Sequence, residues 1–197
     1  MRIALMTLVC FCFMISVSFG DEGHHEKGMD MKAMMEAYQK LSIPGDPHKQ
    51  LASLGGSWAT QTKEWMDPSK PPTESTGFCE MKMLLSGRFL YEECSGSMMG
   101  QPFSGIAING YDNIGKKYVS TWMDSMATGI FVMTGNASAD GKTITLEGEH
   151  EAPMGGTMKH RAIWKIVDRN NQTFEMYGTH PGSPEMKMME ITYTRKP

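Results

Sequence analysis

The chain has 197 residues, a formal net charge of −3 and a pI near 6.1. Its lysines and arginines are scattered along the sequence, so it lacks the basic field that a nucleic-acid partner requires. The length suits a single domain with one core of ordinary size.

Met1-Arg2, the apolar run Ile3–Phe19 and the small residues Ser18 and Gly20 read as an export leader over residues 1–20. The run is short for a membrane span and a strongly polar segment follows it, so the expectation is a secreted or periplasmic protein with no integral membrane segment in the mature chain. Cys10 and Cys12 fall in the leader and lack the small-residue pattern of a lipoprotein signal. Residues 21–46 are expected to hold a flexible tail and an amphipathic helix. Asp21–Met29, with His24 and His25, is too polar to pack. From Asp30 to Ser42, Met31, Met34, Met35, Tyr38 and Leu41 recur at helical spacing behind Asp30 as N-cap, and the stripe they form needs a surface to bury against. Pro44 ends that helix. A short second one is expected with Asp46 as cap, Pro47 at its first position, His48, Leu51 and Leu54 facing inward and Gly55 after it.

Beyond Gly56 the period becomes that of strands, and residues 47–197 read as one β domain. The predicted runs are Ser57–Trp65, Thr73–Leu84, Arg88–Gly96, Pro102–Tyr111, Lys116–Met123, Gly129–Ala137, Lys142–His150, Thr157–Val167, Gln172–Thr179 and Glu185–Arg195. Turn chemistry separates them at Ser86-Gly87, Asp140-Gly141, Gly155-Gly156 and Pro181-Gly182. Short connections make sequence neighbours antiparallel neighbours, and about ten such strands expose fewest edges as a closed up-and-down barrel. Met158, His160, Ala162, Trp164 and Ile166 share one face and should point inward; for Tyr118, Ser120 and Trp122 the alternation leaves the direction open.

Cys79 and Cys94 flank the Ser86-Gly87 turn. If Leu85 pairs with Arg88, the register sets the two cysteines opposite each other, and an oxidising compartment would join them.

Gly56-Ser57-Trp58 at the start of the first strand, with Arg195 in the last, resembles the mark of the calycins, the superfamily of lipocalins and fatty-acid-binding proteins, in which an arginine commonly covers that tryptophan. Met99–Phe103, Gly110–Asp112, Tyr118–Met126, Thr173–Tyr177 and Met189–Lys196 resemble a bacterial family of exported, calycin-like domains of unknown function. That resemblance spans nearly all of 48–196. It implies the barrel and carries over no catalytic residues.

The sharpest functional expectation is a barrel interior holding a small hydrophobic or amphipathic ligand, against the alternative of a barrel filled by its own side chains. Candidate ligand contacts are Trp58, Tyr111, Trp122, Met126, Phe131, His160, Trp164, Tyr177 and Tyr193, with Asp124 and Ser125 beside the pocket and Arg195 over Trp58. The rival class is metal handling: copper on His24, His25, Met29, Met31, Met34 and Met35, or a metal or haem on His160, although one histidine makes no metal site and 21 methionines in the chain dilute any local cluster. An enzyme would have to draw on Asp124, Ser125, His160, Glu175 and Glu190, which form no catalytic motif. Glu92-Glu93 reads as a solvated strand face.

Overall fold

The structure, a computed structural model, describes residues 30–98, 100–153 and 155–197. The expected leader, and the tail with His24, His25 and Met29, lie outside the described residues.

Two helices, α1 (Met31–Leu41) and α2 (Asp46–Ser53), precede ten strands: β1 (Gly56–Glu64), β2 (Thr73–Leu84), β3 (Phe89–Met98), β4 (Gln101–Asp112), β5 (Lys117–Asp124), β6 (Phe131–Ala137), β7 (Thr143–Glu151), β8 (Thr157–Ile166), β9 (Asn171–Thr179) and β10 (Met186–Arg195). Each strand pairs antiparallel with its sequence neighbours and β1 pairs with β10, so the sheet closes into an up-and-down barrel. Because Gly, Pro, Asp and Asn punctuate the strands, the expected ends hold to within two residues. Among the described residues no helix is long and apolar enough to cross a membrane.

The helices depart from expectation in two ways. Asp30 does cap α1, accepting from the amides of Lys32 and Ala33, but the methionine stripe stays uncovered, with Met31, Met35 and Tyr38 all more than half exposed. What ties this segment down is its backbone after the helix: Asn113 donates to the carbonyls of Leu41 and Ile43, and Arg88 to that of Ser42. In α2 the cap is Gly45, not Asp46; His48 Nδ1 accepts the Gly45 N–H at 3.0 Å, which satisfies an amide that the helix itself leaves free.

His48, Leu51 and Leu54 lie at helical spacing and are all buried, so α2 plugs one end of the barrel with that face. Beneath it Trp58 is fully buried and donates its indole N–H to Leu54 O at 2.9 Å. Arg195 closes the joint. Its guanidinium lies 4.1 Å from the centre of the Trp58 ring and donates to the carbonyls of Ser53, Gly55 and Arg169. Gly56 has a φ of +130°, and a Cβ there would sit 2.5 Å from Arg195 Nη1, so both the backbone and the arginine's approach require glycine. At this end Tyr118 also donates to Gln50 Oε1 of α2, whose amide reaches Gly141 O.

The Cys79–Cys94 disulfide forms as the register demanded, with Leu84 opposite Phe89 and the two Cα atoms 4.1 Å apart. It cross-links β2 to β3 across a sequence separation of 15, worth about 3 kcal/mol if loop-closure entropy is what it removes.

Removing the arginine should loosen this closed end. Arg195→Ala is expected to lower stability by on the order of 2 kcal/mol, through three carbonyls losing a charged donor and Trp58 losing its cover. Arg195→Lys should recover little, since one ammonium does not reproduce the planar fork. Urea denaturation checks both, and an unchanged midpoint in Arg195→Ala would refute the role.

Candidate functional site

Alternation sends one residue in two into the barrel, and the inward residues are unevenly sized. Gly77, Gly96, Gly105 and Ala107 on β2–β4 are small, whereas Trp122, Phe131, Trp164 and Phe174 across β5–β9 are large. The mismatch leaves the barrel hollow, with an interior cavity of about 290 Å³. Gly105 is needed for its space: a Cβ there would meet the Trp122 ring at 2.3 Å, so its absence lets the indole lie across β4. The cavity is bounded at one end by the α2 plug and opens at the other, where β1 ends at Glu64, β3 at Met98 and β5 at Asp124.

Its walls are apolar and its polar groups are grouped by depth. Trp122, Phe103, Phe131, Trp164, Met176 and Ile191 supply wall. Near the mouth Trp122 stacks on Phe103 and donates its N–H to Asp124 Oδ2 at 2.7 Å, while Asp124 Oδ1 accepts the Met126 amide. Towards the closed end lie Glu92, Asn109 and Tyr193, each within four residues of the plugged end of its strand and each buried. Tyr193 donates its hydroxyl to Glu92 Oε1 at 3.2 Å, and Cys94 Sγ, which has no proton to give within a disulfide, sits 3.3 Å from the same oxygen. The Asn109 amide lies alongside and favours the anion, yet its Nδ2 closes no hydrogen bond.

Burial dominates this group's chemistry. It pushes the Glu92 carboxyl up to about 7 against the lesser pull of Tyr193 and Asn109. Burial first, and then the Glu92 charge, pushes the Tyr193 phenol well above its usual value, so it stays a donor. At the mouth, burial also raises the Glu64 carboxyl.

A second polar cluster lies in the barrel wall outside the cavity lining. His160 is buried and stacks on His150, their Nε2 atoms 3.0 Å apart, with the Phe131 edge against both rings. His150 Nδ1 faces Glu151 O and so carries a proton; with His150 neutral, its bare Nε2 accepts from His160 Nε2–H. That leaves His160 Nδ1 without a partner, as observed. Burial, and then the neighbouring His150 and His180, hold the His160 pKa down to about 4.

Against the expected ligand contacts, the structure brings Trp122, Asp124, Phe131, Trp164 and Tyr193 together on the cavity. It does not bring the others there. Trp58 and Arg195 form the closed end, and Tyr111 packs edge-on against His48 and Tyr118 beside an open groove on the outer side of β3–β5. Ser125 and Met126 are exposed in the turn beyond Asp124. Tyr177 points outward under Arg161, because Gln172, Phe174 and Met176 take the inward parity of β9. His160 points inward but is occupied by His150. Ser125 and His160 do not meet: the serine hydroxyl accepts the Ser104 amide, and Glu175 and Glu190 pair with Lys187 on the outer face. Sequence reasoning missed Glu92 and the His150 partner. A signal for Glu92 was present, since Leu90, Glu92 and Cys94 share one parity and an inward disulfide forces the carboxylate inward with it.

The family described as Protein of unknown function (DUF1579) matches residues 43–195. The chain belongs to this family. None of the curated proteins matches the sequence. Among solved structures, Rv2717c from M. tuberculosis superposes with a TM-score of 0.57 at 16% identity, covering 79% of this chain and 100% of its own. A redesigned β-barrel aligns at a TM-score of 0.40 and 14% identity over 75% of this chain and 95% of its own. The first of these similarities is one of fold, a chain of the same overall course as this barrel.

The two buried titrating groups act oppositely on stability. Glu92 holds its proton to about pH 7 when folded and releases it near 4.5 when unfolded, so its contribution falls as pH rises through that window and stays low above it. His160, neutral down to about 4 when folded against 6.5 unfolded, contributes stability that is lost as pH falls from 6.5 to 4. Glu92→Gln removes the first effect. At about pH 8 it is expected to exceed the parent protein by up to about 3 kcal/mol, with the gain vanishing near pH 4.5. Urea midpoints at the two pH values check this; a gain of equal size at both would refute the assignment.

Proposed function

We propose that the protein is an exported binding protein that holds a small apolar or amphipathic molecule inside its barrel. The observation that carries this is the interior cavity, apolar in its walls, open at one end and equipped with a few convergent polar groups near the other. Export is supported by the leader-like amino terminus and by the disulfide, which persists in oxidising compartments. The net charge of −3 and the absence of clustered basic residues support a small-molecule partner over nucleic acid.

The purified mature chain is expected to bind an apolar fluorescent probe, or to release a co-purified molecule detectable by mass spectrometry after extraction. Trp122→Ala should weaken probe binding about tenfold, because the indole forms wall at the mouth. Trp164→Ala should also weaken it, with a melting curve to control for the lost bond from its N–H to Gln172 Oε1. An intact protein that neither binds the probe nor carries a ligand would overturn the proposal.

A second reading, a transition-metal ion on His150 and His160, is favoured by one observation. Their Nε2 atoms lie 3.0 Å apart, close to the separation of about 3.3 Å that two imidazoles adopt on one tetrahedral ion. Haem on His160 is not favoured, since that ring does not border the cavity and its Nε2 is taken by His150. Titration calorimetry with Zn²⁺ or Cu²⁺ should show one site that His160→Gln abolishes; equal affinity in the variant, or no site in the parent, removes the reading.

A further inference from the structure

Resting on the binding proposal above, we infer that the ligand is a small amphipathic cation: an amine whose ammonium seats at Glu92 and whose apolar body lies against Trp122, Trp164 and Phe174. Three features of the cavity converge on this class.

Charge is the first. Among the described residues that line the cavity there are three carboxyl groups, Glu64, Glu92 and Asp124, and no lysine, arginine or histidine. Two of them, Glu64 and Asp124, end β1 and β5 at the mouth, and the third lies deep. An incoming anion meets two carboxylates at the entrance and finds no counter-charge within, so it pays both repulsion and desolvation. A cation is drawn by the same gradient.

The deep polar group is the second. Glu92 is 6% exposed and has no basic partner, its only strong donor being the Tyr193 hydroxyl. Burying a carboxylate in this manner is unfavourable unless it is paired, and the protein supplies no pair. Asn109, 5% exposed on the neighbouring strand, also lines the cavity with its Nδ2 unpartnered, which provides one donor for an oxygen on the ligand's polar head. The groups facing Glu92 are Tyr193 from β10, Asn109 from β4 and the disulfide of β2 and β3. None of them titrates in the neutral range; Glu64 at the mouth, its carboxyl also raised by burial, adds to the pH response, and Glu92→Gln separates the two.

The walls are the third. Aromatic faces attract cations as well as apolar surface, and Phe103, Trp122, Phe131, Trp164, Phe174 and Tyr193 surround the space. A neutral apolar ligand would use these walls and leave Glu92 and Asn109 unmet.

The test is a matched series, decylamine, decan-1-ol and decanoate, titrated as monomers into the full mature protein and followed by tryptophan fluorescence and calorimetry. At about pH 8 the amine is expected to bind at least tenfold more tightly than the alcohol, with decanoate weakest. The preference should shrink several-fold at about pH 5.5, where a protonated Glu92 must release its proton before it can pair. Glu92→Gln should bring amine and alcohol within about threefold of each other, and Asp124→Asn should reduce the preference by a smaller factor while leaving the deep carboxyl in place. Decanol or decanoate binding as tightly as the amine would overturn the inference and leave the cavity proposal standing. So would an amine preference that survives in Glu92→Gln. Failure of all three compounds to bind would remove the cavity proposal and this inference together.

Discussion

The contact on which the rest of the architecture depends is Arg195 lying over Trp58. A ten-strand barrel has two open ends, and each end is a ring of backbone and side chains that water can enter. At one end this protein inserts α2, whose final carbonyls would be left unpaired against an apolar floor. Arg195 answers that problem from the last strand: it donates to Ser53 O and Gly55 O, reaches Arg169 O in the β8–β9 connection, and lays its plane on the buried indole. One side chain therefore ties the helix, the first strand and the last strand together where the sheet closes on itself. Gly56 is the condition for this, since any Cβ would occupy the guanidinium's place.

Closing one end determines what the interior can be. With the α2 plug in place, small residues on β2–β4 facing large ones on β5–β9 produce a hollow with a single mouth. The barrel interior also carries groups that a core would reject, one on the cavity and one beside it in the wall. Glu92 and His160 are both held in their neutral forms by burial, one an acid with a raised pKa and the other a base with a lowered one. Between about pH 4.5 and 6.5 their effects on stability run in opposite directions. The disulfide beside Glu92 ties β3, which carries the carboxyl, to β2.

The sequence made the strands legible almost residue by residue, because each break is written in residues whose backbone preferences admit little else: Ser86-Gly87, Asp140-Gly141, Pro181-Gly182. The Cys79–Cys94 pairing was legible for the same reason, since one hairpin turn fixes every pair along it. Faces were legible only where one parity was uniformly apolar, as in β8. On β9 the parity carrying Tyr177 also carries Thr173 and Glu175, and an aromatic ring by itself does not say which side is wet; Arg161 holds it on the outside. Glu92 was hidden by its neighbour. Two consecutive glutamates suggest a solvated edge, but consecutive strand residues always point to opposite sides, so one of the two had to face inward. The His150–His160 contact spans a hairpin whose turn contains Pro153 and Gly155-Gly156, and its register depends on that turn's backbone and not on any pattern within the strands. The uncovered stripe of α1 shows the reverse limit: amphipathicity states that a helix has an apolar face and is silent on whether anything meets it.

These placements separate the residues that keep the barrel closed from those that the proposed binding would use. Trp58, Arg195, Leu51 and Leu54 share the plugged end and are satisfied among themselves by packing and hydrogen bonds. Glu92 and Asn109, one layer further in, are not: one is a carboxyl without a cation and the other an amide donor without an acceptor. A core that had only to be stable would have replaced both with apolar residues of similar volume, at no loss to the closed end. Both lie on the cavity and not within the plug, which is where the proposed ligand's polar head would meet them.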